Sequence, residues 1–174
     1  DWPRGNEAKA ALTALTLEKP VLLRYGGEEI DRHGLTLAQV FVTDGDTPLW
    51  VQQALLAAGH ARVYSFPDNR ACLAELYAAE SRARAAGLGI WADSHYRVRR
   101  AYRPADLLSR AGNYEIVEGR VLAAEKVGGQ VFLNFGRYYK EDFTAVIDAR
   151  ALRQFAETGL DPARLGGALV RVRG

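Results

Sequence analysis

Asp31, Arg32 and His33 put a carboxylate, a guanidinium and an imidazole on three consecutive residues, a set able to contact a phosphate or a sugar. The same residues also suit a solvated β-turn in which Asp31 accepts backbone N–H bonds. Acid–base catalysis is only faintly indicated, because no second His, Ser or Cys partner lies close to His33 in sequence. His60 and His95 are equally isolated, and no metal-ligand spacing links the three. A second chemistry lies further on, where Arg97, Arg99, Arg100 and Arg103 alternate with Tyr96, Val98 and Tyr102. Cations for phosphate and rings for stacking equip a single-strand binder, and they equally describe a basic surface linker. A third group, Phe132, Phe135, Tyr138 and Tyr139 with Arg137 and Lys140, gathers about a hairpin; alternate rings belong in the core, and the adjacent Tyr138 and Tyr139 are expected in the open.

The elements that carry these residues can be read from periodicity. Asn6 to Leu17 places Ala8, Ala11, Leu12 and Leu15 on one helical face, with Glu7 near the start where it suits the helix dipole. VLLRY (21–25) and LTLAQVFV (35–42) read as paired strands around a charged, glycine-bearing loop that holds Asp31 to His33. A helix is predicted from Pro48 to Gly59, then a short strand, ARVYSF (61–66), carrying Tyr64. Asn69 to Ala86 forms an amphipathic helix with Leu73, Leu76, Tyr77, Glu80 and Ala83 along one side, and Cys72 is expected as a small buried side chain on it. Residues 93–112 read as a basic linker. Beyond it come three strands with turns at Gly128-Gly129 and around 137–141, the helix ALRQFAETG, and a last strand, ALVRVRG.

At 174 residues, 48% hydrophobic and 25% charged, the composition is that of one or two ordinary globular domains. Arg and Lys total 23 against 21 acidic residues, so no whole-chain field draws the protein to nucleic acid or membrane, and any such contact must be local. The longest apolar runs, such as Ala54 to Ala58, fall far short of the roughly 20 residues of a membrane span. The single Cys72 excludes an internal disulfide and leaves the compartment unread. No signal peptide is legible, and the opening Asp1-Trp2-Pro3, without an initiator Met, predicts residues upstream.

Three pieces, DRHGLTLAQVFV (31–42), LWVQQALLAAGHARVY (49–64) and AESRARAAGLGIW (79–91), occur in order and at suitable spacing, and together they resemble the staphylococcal nuclease (thermonuclease) family. GNEAKAALTAL is similar to the family's first helix, so the resemblance covers about residues 5–92. It implies an α+β fold with an oligonucleotide/oligosaccharide-binding (OB) barrel, residues 1–92, lacking its first strands. Residues 113–174, three strands, a helix and a returning strand, resemble a second small OB-like barrel lacking its last strand. Within it, FLNFGRYYKEDFT is similar to a segment of C-terminal domains in bacterial nuclease-like proteins, which implies architecture and no activity.

The family hydrolyses phosphodiesters with Ca²⁺ on carboxylates, two arginines and a glutamate, groups that stabilise charge added to an already anionic phosphate. The resemblance places the first metal carboxylate and one arginine upstream of Asp1, so calcium is expected only with an upstream segment. In the family's Asp-basic-aromatic-Gly-Arg loop, the phosphate-clamping arginine corresponds to Leu35, which neither donates a hydrogen bond nor carries charge. By analogy with arginine fingers, such a loss is worth about 10³ to 10⁵ in rate. Arg32 and Arg24 are the cations nearest in sequence that could replace it. Glu80, in the Ala-Glu pair ahead of GIW, is expected to hold loop N–H groups, and Trp91 to anchor packing.

The expectation is therefore a catalytically impaired nuclease homologue acting as a binding module for single-stranded nucleic acid, with Asp31, Arg32, His33, Tyr64, Arg97, Arg99 and Arg100 as binding candidates and no metal ligand in the chain. Two alternatives stand beside it: an active Ca²⁺-dependent DNA or RNA endonuclease completed by an upstream segment, and a protein-interaction scaffold. Export to the periplasm or beyond is expected from family habit alone.

Overall fold

The computed structural model describes residues 2–174. The chain divides between Tyr96 and Arg97 into two compact units. Among the described residues they hold five α-helices and three three-stranded sheets, an α+β composition.

The first unit opens with α1 (Gly5–Thr16), preceded by Arg4, whose guanidinium donates to Glu7 in the first turn at 3.0 Å. Strands β1 (Val21–Arg24), β2 (Gln39–Val42) and β3 (Leu49–Trp50) form an antiparallel sheet in which Val21 faces Val42 and Phe41 faces Trp50. The helix predicted from Pro48 starts later, at α2 (Val51–Ala57), because Leu49 and Trp50 first complete the sheet. Trp50 stacks on Phe41 at 5.8 Å and donates its indole N–H to Gln39 at 2.9 Å. Helix α3 (Leu73–Ala85) likewise starts after the expected Asn69, since Cys72 sits at its N-cap with φ +61°. Cys72 is exposed there, contrary to the buried helical position expected of it.

The core of this unit is Leu56, Val63, Leu76 and Ala79, with Trp50, Ala61, Leu73 and Tyr77 packed on it. Two glycines lock α2 to the end of α3. Gly59 and Gly89 both have positive φ, and a Cβ on either would run into the other segment's backbone. That close approach lets Ile90 N–H donate to the Gly59 carbonyl at 2.8 Å. The start of the unit is tied to its end, where the Tyr96 hydroxyl donates to the Pro3 carbonyl at 2.6 Å and His95 lies between the rings of Trp2 and Tyr96.

The barrel expected for this half is not closed among the described residues. Strand β1 pairs only with β2, and its four residues are all exposed. Three strands are too few to wrap a sheet onto itself.

In the second unit, β4 (Arg99–Arg100), β5 (Ile116–Arg120) and β9 (Leu169–Arg173) make one sheet, and β6 (Ala123–Val127), β7 (Gln130–Asn134) and β8 (Thr144–Ile147) the other. The chain passes between them within two residues: Val121 N–H donates to Ala168 O in line with β9, and Leu122 N–H to Asn134 O in line with β7. Among the described residues these sheets do not close into a barrel. Val121, Val131 and Leu133 form the core, covered by Phe135, Ile147, Val170 and Leu152 of α5 (Ala149–Glu157), a helix capped by Asp148.

Residues 93–112, expected as a surface linker, are built into structure. After the 3₁₀ turn at Gly89–Ala92 they form a second 3₁₀ turn at Ser94–Tyr96, then β4 parallel to β5, then α4 (Pro104–Leu108). The physical reason is Arg99, 5% exposed, whose guanidinium reaches Glu115 at 3.5 Å and Asp106 at 3.8 Å, while Arg110 closes the group on Glu115 at 2.7 Å. No helix among the described residues is long and apolar enough to cross a membrane.

Candidate functional site

The charged loop between β1 and β2 folds back as a small hairpin. An isolated bridge pairs Ile30 with Thr36, Leu37 N–H donates to Glu29 O at 2.8 Å, and Gly34 takes φ +79° at the tip. Asp31 organises the turn: its Oδ1 accepts the N–H of His33 at 2.8 Å and of Leu35 at 2.9 Å. The Leu35 N–H, aided by that of His33 and by the charges of His33 and Arg32, holds the Asp31 carboxyl below the ordinary carboxylate range. Arg32 Nε donates to His33 Nε2 at 3.1 Å, so the two side chains lie together and exposed.

Opposite this loop runs the segment 61–66, predicted as a strand. It joins no ladder. Its anchor is Glu80, fully buried on α3, which accepts the Val63 N–H at 2.7 Å and pairs with Arg84 at 3.5 Å. This is the backbone-holding role expected of Glu80. Arg84 in turn lies over the ring of Trp91 at 5.7 Å. The extended backbone still alternates, so Tyr64 and Phe66 project to one side with their rings 5.0 Å apart, edge to face.

The two segments enclose a cleft of about 560 Å³ lined by Ile30, Asp31, Arg32, His33, Tyr64 and Phe66, with Glu28, Leu37 and Asp68 completing its wall. Four binding candidates, Asp31, Arg32, His33 and Tyr64, thus meet in one place. Phe66, Glu28 and Asp68 were missed by sequence reasoning; the alternation of Tyr64 with Phe66 was the available signal for the first. Leu35 is 63% exposed and stands outside the lining. Arg24 lies over the Phe41 ring at 4.8 Å and lines a smaller adjoining hollow of about 140 Å³ that shares Leu37, Tyr64 and Phe66.

Three carboxylates, Glu28, Asp31 and Asp68, face one guanidinium across this cleft. A phosphate is therefore welcome only beside Arg32, while the Tyr64 and Phe66 rings offer faces to planar groups. Among the described residues no three His, Cys, Asp or Glu side chains converge where a cation could sit. Asp31 already spends its Oδ1 on two N–H groups.

Arg97, Arg99 and Arg100 belong to the second unit. Arg97 pairs with Asp106 at 3.2 Å and Arg100 with Glu118 at 2.7 Å, both half-exposed. Arg99 is not a surface contact, because its guanidinium is buried in the Glu115 and Asp106 group.

A family model described as staphylococcal nuclease homologue matches residues 2–93, more than half of the chain. The chain belongs to that family. No curated protein matches it. In this staphylococcal nuclease homologue the matched span runs from the residues ahead of α1 to the 3₁₀ turn after α3, and so contains every residue of the cleft.

Proposed function

We propose that this staphylococcal nuclease homologue binds single-stranded nucleic acid in the Arg32–Tyr64–Phe66 cleft and is impaired in hydrolysing it. What supports the reading is Leu35: Asp31 organises the loop's turn and Leu35 is exposed on it, at the position to which the family resemblance assigns a phosphate-clamping arginine. A transition state that gains charge on phosphate oxygens needs paired donors there, and an isobutyl group supplies none. Binding asks less. Bases stack on Tyr64 and Phe66, and Arg32 meets one phosphate.

The deciding experiment incubates the protein with single-stranded DNA and RNA in Ca²⁺ and measures release of short fragments. Background rates are expected for the wild type and for Leu35→Arg, the latter tightening oligonucleotide binding through one added cation. Turnover that a chelator abolishes would overturn the impaired reading. Affinity that does not weaken as salt rises would point instead to a protein partner.

A further inference from the structure

The second unit carries an open sheet face unrelated to the cleft. In β6, β7 and β8, Ala124, Val131, Leu133, Ala145 and Ile147 turn toward the core. The alternate residues face outward, and Glu125, Phe132, Asn134, Arg137 and Tyr139 line a hollow of about 450 Å³ there. Phe132 sits mid-sheet, directly opposite Glu125 on one side and the exposed Val146 on the other.

The loop that overhangs the hollow is pinned. Asp142 Oδ2 accepts the Tyr138 N–H at 2.8 Å, the Glu141 and Asp142 N–H groups both donate to Tyr138 O, and the Asp142 carboxylate lies so close over Gly136 that no Cβ fits. This fixed loop holds Tyr138 and Tyr139 each 71% exposed. The Lys140 ammonium stands 5.9 Å from the Tyr139 ring centroid, and Arg137 has no ion-pair partner among the described residues. Asn134 accepts from Thr144 through its carbonyl oxygen at 3.0 Å, which leaves its NH₂ group to donate.

We propose that this face binds single-stranded nucleic acid, with Phe132 and Tyr139 stacking on bases, Asn134 donating to a base edge, and Arg137 with Lys140 meeting phosphates. The choice of occupant follows from charge and shape. Where three carboxylates and one arginine line the first unit's cleft, the hollow's own lining carries one carboxylate, Glu125, and one arginine, Arg137; of the charged residues that follow in the loop, Lys140 stands by the Tyr139 ring and Asp142 is spent on the Tyr138 N–H. Free cations beside ring faces match a ligand with anionic links and unpaired planar groups; a duplex hides its base faces, and an acidic peptide has none. Rings displayed on a pinned loop lose little freedom on binding. The residues of this face are distinct from those of the cleft, and the proposal rests on the nuclease-homologue reading only in sharing its class of ligand.

The test is fluorescence anisotropy of a labelled oligothymidylate against the full chain across a salt series, with circular dichroism of each variant. Tyr139→Ala is expected to weaken binding about tenfold and Tyr139→Phe to restore it, because stacking needs the ring and not the hydroxyl. Arg137→Ala should lower the salt slope by about 0.7. Wild-type binding by both Tyr139→Ala and Arg137→Ala overturns the proposal, whatever Tyr64→Ala does in the first unit. Loss confined to the Tyr139 and Arg137 variants, with Tyr64→Ala unaffected, sustains it and removes the cleft reading. A polyglutamate peptide competing as well as the oligonucleotide also overturns it.

Discussion

Asp31 and Glu80 are both acidic residues spent on backbone N–H groups, and their two environments make different predictions. The Asp31 carboxyl titrates below its ordinary value of 3.8, so its contribution to the turn is fully present above that value and is lost as pH falls through the lowered one. The His33 and Leu35 amide resonances should shift together in that acid window, and Asp31→Asn should abolish the step in an NMR titration. Glu80 is buried, so Glu80→Ala strands the Val63 N–H and the Arg84 guanidinium; urea unfolding should show a loss of about 3 kcal/mol. Both roles were legible in the sequence, the first as an Asp before a glycine turn, the second as an acid on an apolar helix face. Arg99 was not legible. Nothing in the string RVRRAYR distinguishes the buried arginine from its exposed neighbours, since the carboxylates that neutralise it, Asp106 and Glu115, are supplied by the next helix and strand.

Helices with clear periodicity, α1 and α3, lie within a few residues of where pattern alone puts them, while elements decided by partners do not. Leu49 and Trp50 carry helical spacing yet pair with β2, because burying Trp50 on Phe41 outweighs one more turn of helix. Tyr64 to Phe66 alternate like a strand yet find no ladder, because Glu80 takes the Val63 N–H that a neighbouring strand would otherwise use. The lock between α2 and α3 gives the sharpest element-scale prediction. Gly89→Ala places a methyl against Gly59 O at a positive φ and should cost about 2 kcal/mol or more, read as a lowered midpoint in thermal unfolding. Gly87→Ala, with positive φ and open space around it, carries only the conformational part of that penalty and should cost about 1 kcal/mol.

For the molecule as a whole, the pattern of apolar positions revealed two regions rich in strands and helices, and the structure gives each its own core. What it could not reveal was closure, because whether strands wrap into a barrel depends on pairings between segments far apart in the chain. The boundary also moved: the basic stretch that reads as a linker contributes a strand and a helix to the second unit. A fragment of residues 97–174 should therefore fold alone, keeping the circular dichroism of a mixed β and α protein and a cooperative melt. One cut at residue 113 should not, since it removes β4 and leaves Glu115 buried without Arg99.

The change of partner at Val121 and Leu122 also bears on time. The β6–β7–β8 meander joins residues close in sequence and closes quickly, whereas Arg120 must wait for Leu169 to return across the meander and α5. Loop closure over that distance is the slow step in chain entropy, so the β5–β9 ladder is expected to form last. The meander would then stand as an early nucleus, its outer face shaped before the rest of the unit has settled around it.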